Sequence, residues 1–104
     1  MKMDNQEKDW ELYKSKLGKW QEDYADRLIK EYMKILTGKG SAAERLAALK
    51  GRTEADFAGI GLTLVPNEEE MLFDLIDLVR EGVITVDDVG DFSEETLETV
   101  KHFI

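Results

Sequence analysis

The sequence contains no cysteine, one histidine and one proline. The absence of cysteine excludes a disulfide framework, a thiolate metal site and a cysteine nucleophile, and it is typical of proteins in a reducing compartment. The single histidine, His102, excludes a zinc site with several histidine ligands, and its position near the end of a predicted helix suits the helix dipole. No apolar run resembles a signal peptide or a membrane-spanning helix. We therefore expect a cytoplasmic protein.

The sequence also lacks the usual motifs of catalysis and cofactor binding. Asp87, Asp88 and Asp91 do not have the spacing of a calcium loop. Residues 59–61 read Gly-Ile-Gly but lack the third glycine of a dinucleotide-binding loop, and no phosphate-binding loop is present. We expect no enzymatic activity, no cofactor and no bound metal.

Basic residues are scarce in the C-terminal third. Residues 67–104 contain two basic residues, Arg80 and Lys101, against 12 acidic residues, whereas residues 1–66 contain 12 basic and 11 acidic residues. The net charge of -9 therefore comes entirely from the C-terminal third, since the rest of the chain is close to neutral. Such a surface repels phosphates, so we expect no direct binding to nucleic acid or to a membrane.

What the chain does contain is a hydrophobic fraction of 42% in 104 residues, enough for one folded domain over 1–104. Apolar residues recur every three or four positions from Trp10 to Ile35, which predicts a long amphipathic helix over 5–37. A second apolar stripe starts near Ala25, so we expect the end of this helix to be buried more deeply than its start.

Shorter elements are predicted downstream of the long helix. Ser41 and Glu44 have capping-box spacing and predict a short helix over 41–50, with Gly51 at its end. The connector over 52–66 is either buried and extended or contains a short strand at 57–65.

Three further N-caps are predicted in the acidic part of the chain. Asn67 predicts a helix over 68–81, and Thr85 and Ser93 predict a short helical turn and a terminal helix. The apolar residues of the terminal helix are expected to be buried: Leu97, Val100 and Phe103. The predicted fold is an all-α bundle of about four helices, in which the C-terminal helices pack on the second half of the long helix.

Seven of the 12 acidic residues after position 66 fall in the first turn of a predicted helix, where carboxylates stabilise the helix dipole. Glu70, Asp74, Asp77 and Glu81 form a separate acidic stripe opposite the apolar face of the 68–81 helix. This stripe is either a solvated face or a site that binds a basic surface on a partner protein.

The aromatic residues are divided along the chain. Both tryptophans and all three tyrosines lie between Trp10 and Tyr32. Trp10, Tyr13, Leu17 and Trp20 form either the core seam of a bundle or an interface with a second chain, because such side chains suit both environments.

Two segments resemble small uncharacterised helical proteins of Gram-positive gut bacteria and their mobile elements. The similarity covers residues 20–24, Leu28 and residues 31–32 in the long helix, and residues 82–85 and 91–95 in the C-terminal third. Residues 52–65 depart from that pattern. The resemblance implies no catalytic residue, and it favours a role in conflict between mobile elements and their hosts.

The sequence therefore predicts a non-catalytic protein that binds other proteins. One form of this hypothesis is an acidic inhibitor of the anti-CRISPR or anti-restriction type, whose carboxylates replace the phosphates bound by a nucleic-acid-handling enzyme. The alternative is a structural or regulatory homodimer assembled through the aromatic stripe of the first helix.

Overall fold

The computed structural model describes residues 4–104. In this range the chain forms four α-helices, α1 (Asn5–Leu36), α2 (Ala42–Ala58), α3 (Met71–Arg80) and α4 (Glu94–Phe103). A 3-10 helix over Val86–Val89 lies between α3 and α4, and no strand occurs among the described residues. The prediction of a small all-α bundle with a long first helix is confirmed.

The core lies between the first two thirds of α1 and the C-terminal elements. Tyr13, Leu17 and Trp20 of α1 are buried against side chains from α3, the 3-10 helix and α4. Leu28 is the last buried residue of α1. The predicted increase in burial along this helix is therefore wrong, as is the predicted packing on its second half. Periodicity identifies the apolar face of a helix, but it does not say which part of that face the other helices cover.

Residues 29–58, the end of α1 together with α2, form a helical hairpin in which no side chain is buried. We refer to this segment as the hairpin. It gives the molecule an elongated shape, with principal extents of 61 × 25 × 19 Å. The radius of gyration of 16.8 Å exceeds the value of about 13 Å expected for a compact domain of this length.

α2 is longer than the predicted helix over 41–50. Ser41 caps its N-terminus, as predicted, by accepting a hydrogen bond from the backbone N–H of Glu44. The helix continues through Gly51 to Ala58. A glycine inside a helix costs about 1 kcal/mol relative to alanine, and contacts of Arg52 with Asp56 and with Glu31 of α1 offset this cost.

The connector is correspondingly shorter than predicted, and the alternative of a strand at 57–65 is wrong. The alternating apolar residues from Ile60 to Leu64 lie in turns, and the N–H of Leu64 donates to the carbonyl of Ile60 at 3.1 Å. Gln21 of α1 donates to the carbonyl of Leu64 at 2.7 Å. These bonds supply the partners that a strand would otherwise have required.

α3 begins three residues later than the predicted start at Glu68. The side chain of Asn67 accepts from the N–H of Glu69 at 2.9 Å, and the N–H of Glu70 donates to the carbonyl of Asn67. These bonds close a tight turn before the α-helix starts at Met71. At the other end Gly82 has φ of +75°, a conformation that glycine adopts at little cost.

The two remaining caps agree with the sequence. Thr85 and Asp88 form a reciprocal capping box at the 3-10 helix, and Ser93 caps α4. Of the side chains predicted to be buried in α4, Val100 is buried and Leu97 is partly buried, whereas Phe103 is 54% exposed. The prediction for Phe103 was wrong because no other element covers the last turn.

Candidate functional site

The acidic stripe predicted on the third helix lies on the outer face of α3. Glu70, Asp77 and Glu81 are exposed and Asp74 is partly buried. Within residues 4–104 none of these four carboxylates forms an ion pair. The stripe is about 16 Å long, since each helical residue adds 1.5 Å. The four residues chosen from the sequence therefore lie together on one surface.

Asp74 also has a structural role that the sequence did not indicate. Its carboxylate accepts a hydrogen bond of 3.2 Å from the buried hydroxyl of Tyr13. Burial raises the pKa of Asp74, and the neighbouring carboxylates of Glu70 and Asp77 raise it further, while the Tyr13 bond acts in the opposite direction. Burial, followed by the Asp74 charge, raises the pKa of Tyr13. Asp74 thus links the acidic stripe to the core.

Replacing Asp74 by asparagine should stabilise the protein at neutral pH. Asp74 binds a proton more readily in the folded chain, so its ionised form disfavours folding once the pH exceeds both pKa values. Asparagine removes repulsion from Glu70 and Asp77 and keeps an oxygen for the Tyr13 hydroxyl. We expect a gain of about 0.5 kcal/mol at pH 7, from two like-charge neighbours worth a few tenths each.

Urea denaturation at two pH values measures this effect. Near pH 3, below the pKa of about 3.9 of aspartate in an unfolded chain, the gain should disappear. An equal gain at both pH values would show that charge is not its cause.

An exposed aromatic side chain lies beside the acidic stripe. Phe73 is 64% exposed, and the helical projection places it about 40° from Asp77 on the surface of α3. The sequence analysis did not identify Phe73, because an isolated phenylalanine in a helix is usually a core residue. Carboxylates next to an exposed aromatic ring provide both charge and an apolar anchor for a partner.

The aromatic stripe of α1 lies inside the chain's own core. Tyr13 and Leu17 are 0% and 1% exposed and Trp20 is 8% exposed, while Trp10 is partly buried against the same cluster. Of the two alternatives drawn from the sequence, the structure shows the core seam. Tyr13, Leu17 and Trp20 are therefore not exposed to a second chain, and Trp10 is only partly exposed.

Asp9 is a buried carboxylate that sequence analysis missed. It is 3% exposed and accepts three hydrogen bonds, from the backbone N–H and hydroxyl of Ser93 at 2.8 and 2.6 Å and from the hydroxyl of Thr96 at 2.6 Å. The carboxylate thus lies at the N-terminus of α4, where the helix dipole favours an anion. Its hydrogen-bond partners are 84 and 87 residues away in the chain, so no local sequence pattern indicates them.

A cleft of about 290 Å³ lies beside Asp9, between α1, α4 and the turn before α3. The Asp9 oxygens that line it are already bonded to Ser93 and Thr96. Among residues 4–104, no three side chains of His, Cys, Asp or Glu are arranged to hold a metal ion. The acidic stripe of α3 is therefore the stronger candidate site.

None of the described helices is both long enough and apolar enough to cross a membrane. Comparisons with protein-family models, with curated proteins and with solved structures gave no match.

Proposed function

We propose that this protein is a non-catalytic interaction protein that binds a basic surface of a partner protein through the acidic face of α3. We define the acidic face as Glu70, Asp74, Asp77, Glu81 and the adjacent Phe73. The observation that carries the proposal is a row of carboxylates that repel one another and have no basic partner within residues 4–104. A basic partner would supply the missing counter-charges.

The chemistry of the acidic face favours a partner that handles nucleic acid. Proteins that bind phosphates present clusters of lysine and arginine, and a line of carboxylates competes for the same groups. Phe73 adds an exposed ring of the kind that forms hot spots in protein interfaces. The proposed role is that of an inhibitor that occupies the nucleic-acid site of an enzyme, such as a CRISPR or restriction nuclease.

A pull-down with matched charge variants tests this function. The Asp77→Lys/Glu81→Lys variant reverses two exposed charges on the acidic face. The control, Glu22→Lys/Glu98→Lys, changes the net charge equally at exposed positions on α1 and α4. The wild type and the control should capture the same partner at low salt, and the α3 variant should bind it at least about tenfold more weakly, because close charge pairs contribute strongly.

Salt and nucleic acid provide the second half of the experiment. High salt and excess duplex DNA should each release the captured protein, since both compete for the basic surface. A partner that binds the α3 variant as well as the wild type, or that resists both competitors, would contradict the proposed function.

A further inference from the structure

The hairpin exposes a set of large apolar side chains that nothing in the described chain covers. The exposed fractions are 54% for Ile29, 59% for Met33 and 38% for Leu36 on α1, and 61% for Leu46 and 60% for Phe57 on α2. We call these five residues the hairpin face. α2 has no buried residue over its 17 positions. Most helices in proteins depend on the packing of an apolar side, so this face lacks the contact that normally stabilises one.

Polar contacts between α1 and α2 fix their relative orientation. Tyr32 donates to Asp56 at 2.6 Å, and Arg52 pairs with Glu31 at 2.7 Å. Near the turn, Arg45 donates to the carbonyl oxygen of α1's last residue at 2.6 Å. The two helices are therefore antiparallel neighbours, and the five residues of the hairpin face are not among the side chains that join them.

The five apolar residues lie on one side of this helix pair. On each helix the projection places them about 100° from the line of polar contacts, in the same rotational sense. Because the helices are antiparallel, an equal rotation in the same direction about each helix axis places both apolar sets on the same side of the pair. Leu36 lies near Leu46 at the turn, and Ile29 lies near Phe57 at the other end.

We propose that the hairpin face binds the hairpin face of a second copy of this chain. From the exposed fractions and side-chain areas of roughly 150–250 Å², the face exposes about 500 Å² of apolar side chain. Two such faces would bury about 1,000 Å², which reaches the lower limit of specific protein interfaces. A flat pair of antiparallel helices closes with its own copy into a four-helix arrangement.

Charge favours a second copy in an antiparallel arrangement. The hairpin contains six basic and four acidic residues, in contrast to the net charge of -9 of the whole chain. Two hairpins, each with two more basic than acidic residues, therefore repel each other less than two C-terminal regions would. An antiparallel arrangement also keeps the two acidic C-terminal regions at opposite ends of the dimer.

The spacing of residues on the hairpin is self-complementary in this arrangement. When α2 lies antiparallel to α2 of the second copy, the register that places Leu46 opposite Phe57 also places Lys50 within one residue of the position opposite Glu54. Lys50 and Glu54 pair within one helix at 3.9 Å and would then also lie close to each other across the interface. On α1 the corresponding register places Ile29 opposite Leu36 and Met33 close to its own symmetry mate. Apolar residues thus meet apolar residues, and opposite charges meet beside them.

Sedimentation velocity over concentrations up to about 100 μM tests the proposal, because this range populates even an interface with micromolar affinity. We expect the wild type to sediment as a species with twice the chain mass of 11.9 kDa. Met33→Glu should dissociate at least tenfold more readily, with an unchanged helical circular dichroism spectrum. The control, Phe103→Glu, alters a similarly exposed residue on α4, outside both the hairpin face and the acidic face, and should remain a dimer.

A charge exchange tests the antiparallel register. Lys50→Glu and Glu54→Lys should each weaken the dimer, and an equimolar mixture of the two variants should restore it as a heterodimer. The Lys50–Glu54 pair within one helix cannot produce this rescue, because each variant lacks that pair. A wild type that stays monomeric throughout, a dimer that tolerates Met33→Glu, or a series of species larger than a dimer would each overturn the proposal. A mixture that dimerises as weakly as the single variants would overturn it as well. Binding to a basic partner is a separate property, since the acidic face is on α3.

Discussion

Replacing Asp9 by alanine should destabilise the protein by about 3 kcal/mol, because the change leaves buried donors without an acceptor. The carboxylate accepts the hydroxyls of Ser93 and Thr96 and the backbone N–H of Ser93. It is the only buried charged residue among residues 4–104. The loss should separate the start of α4 from α1 and lower the midpoint of urea denaturation.

The loss of stability should depend on which residue replaces Asp9. Asparagine at position 9 keeps one oxygen acceptor but loses the charge, so we expect a loss between those of the wild type and the alanine variant. Glu22→Ala, an exposed change on the same helix, is the matched control and should be nearly neutral. Equal denaturation midpoints for Asp9→Ala and Glu22→Ala would show that the buried bonds do not stabilise the fold.

Replacing Gly61 by alanine should cost about 3 kcal/mol, near the upper end for overpacked cores. A Cβ atom at this position would collide with the ring of Tyr24 and would lie 2.7 Å from Cγ2 of Val83. Gly61 therefore lets the connector pass between α1 and the loop after α3. Neither neighbour can move freely, since Arg27 lies over the Tyr24 ring and Val83 is buried.

Gly18 serves as a control, because we expect the opposite result from its replacement by alanine. No atom lies within 4 Å of a Cβ placed on Gly18, which is in the interior of α1. Gly18→Ala should therefore stabilise the protein by about 0.5–1 kcal/mol through helix propensity. Thermal denaturation of both variants separates the two effects. If Gly61→Ala also raised the melting temperature, the close contact could not be rigid.

The helix caps were predictable because their signals are local. Ser41, Thr85 and Ser93 each accept a hydrogen bond from an N–H three residues later, so a short stretch of sequence contains both partners. The acidic stripe was predictable for the same reason, since its four members share one helix. Local chemistry thus determined most helix starts and one face of the candidate site.

Features that depend on distant residues were not predictable. Asp9 resembles any other acidic residue of α1 until Ser93 and Thr96 are brought to it. Gly51 resembles a helix end unless the bonds of Arg52 to α1 are known. The exposure of Phe73 likewise depends on which side of α3 the other helices leave uncovered.

The contrast between a packed bundle and an unpacked hairpin has a consequence for how the chain opens. In the single protomer, residues 29–58 contribute no buried side chain to the core, so the hairpin can open while that core remains intact. Opening of α2 disrupts contacts such as those of Tyr32 and Arg52 but removes no fully buried side chain. The parts of α1 before and after Leu28 therefore belong to separate cooperative units, although one continuous helix joins them.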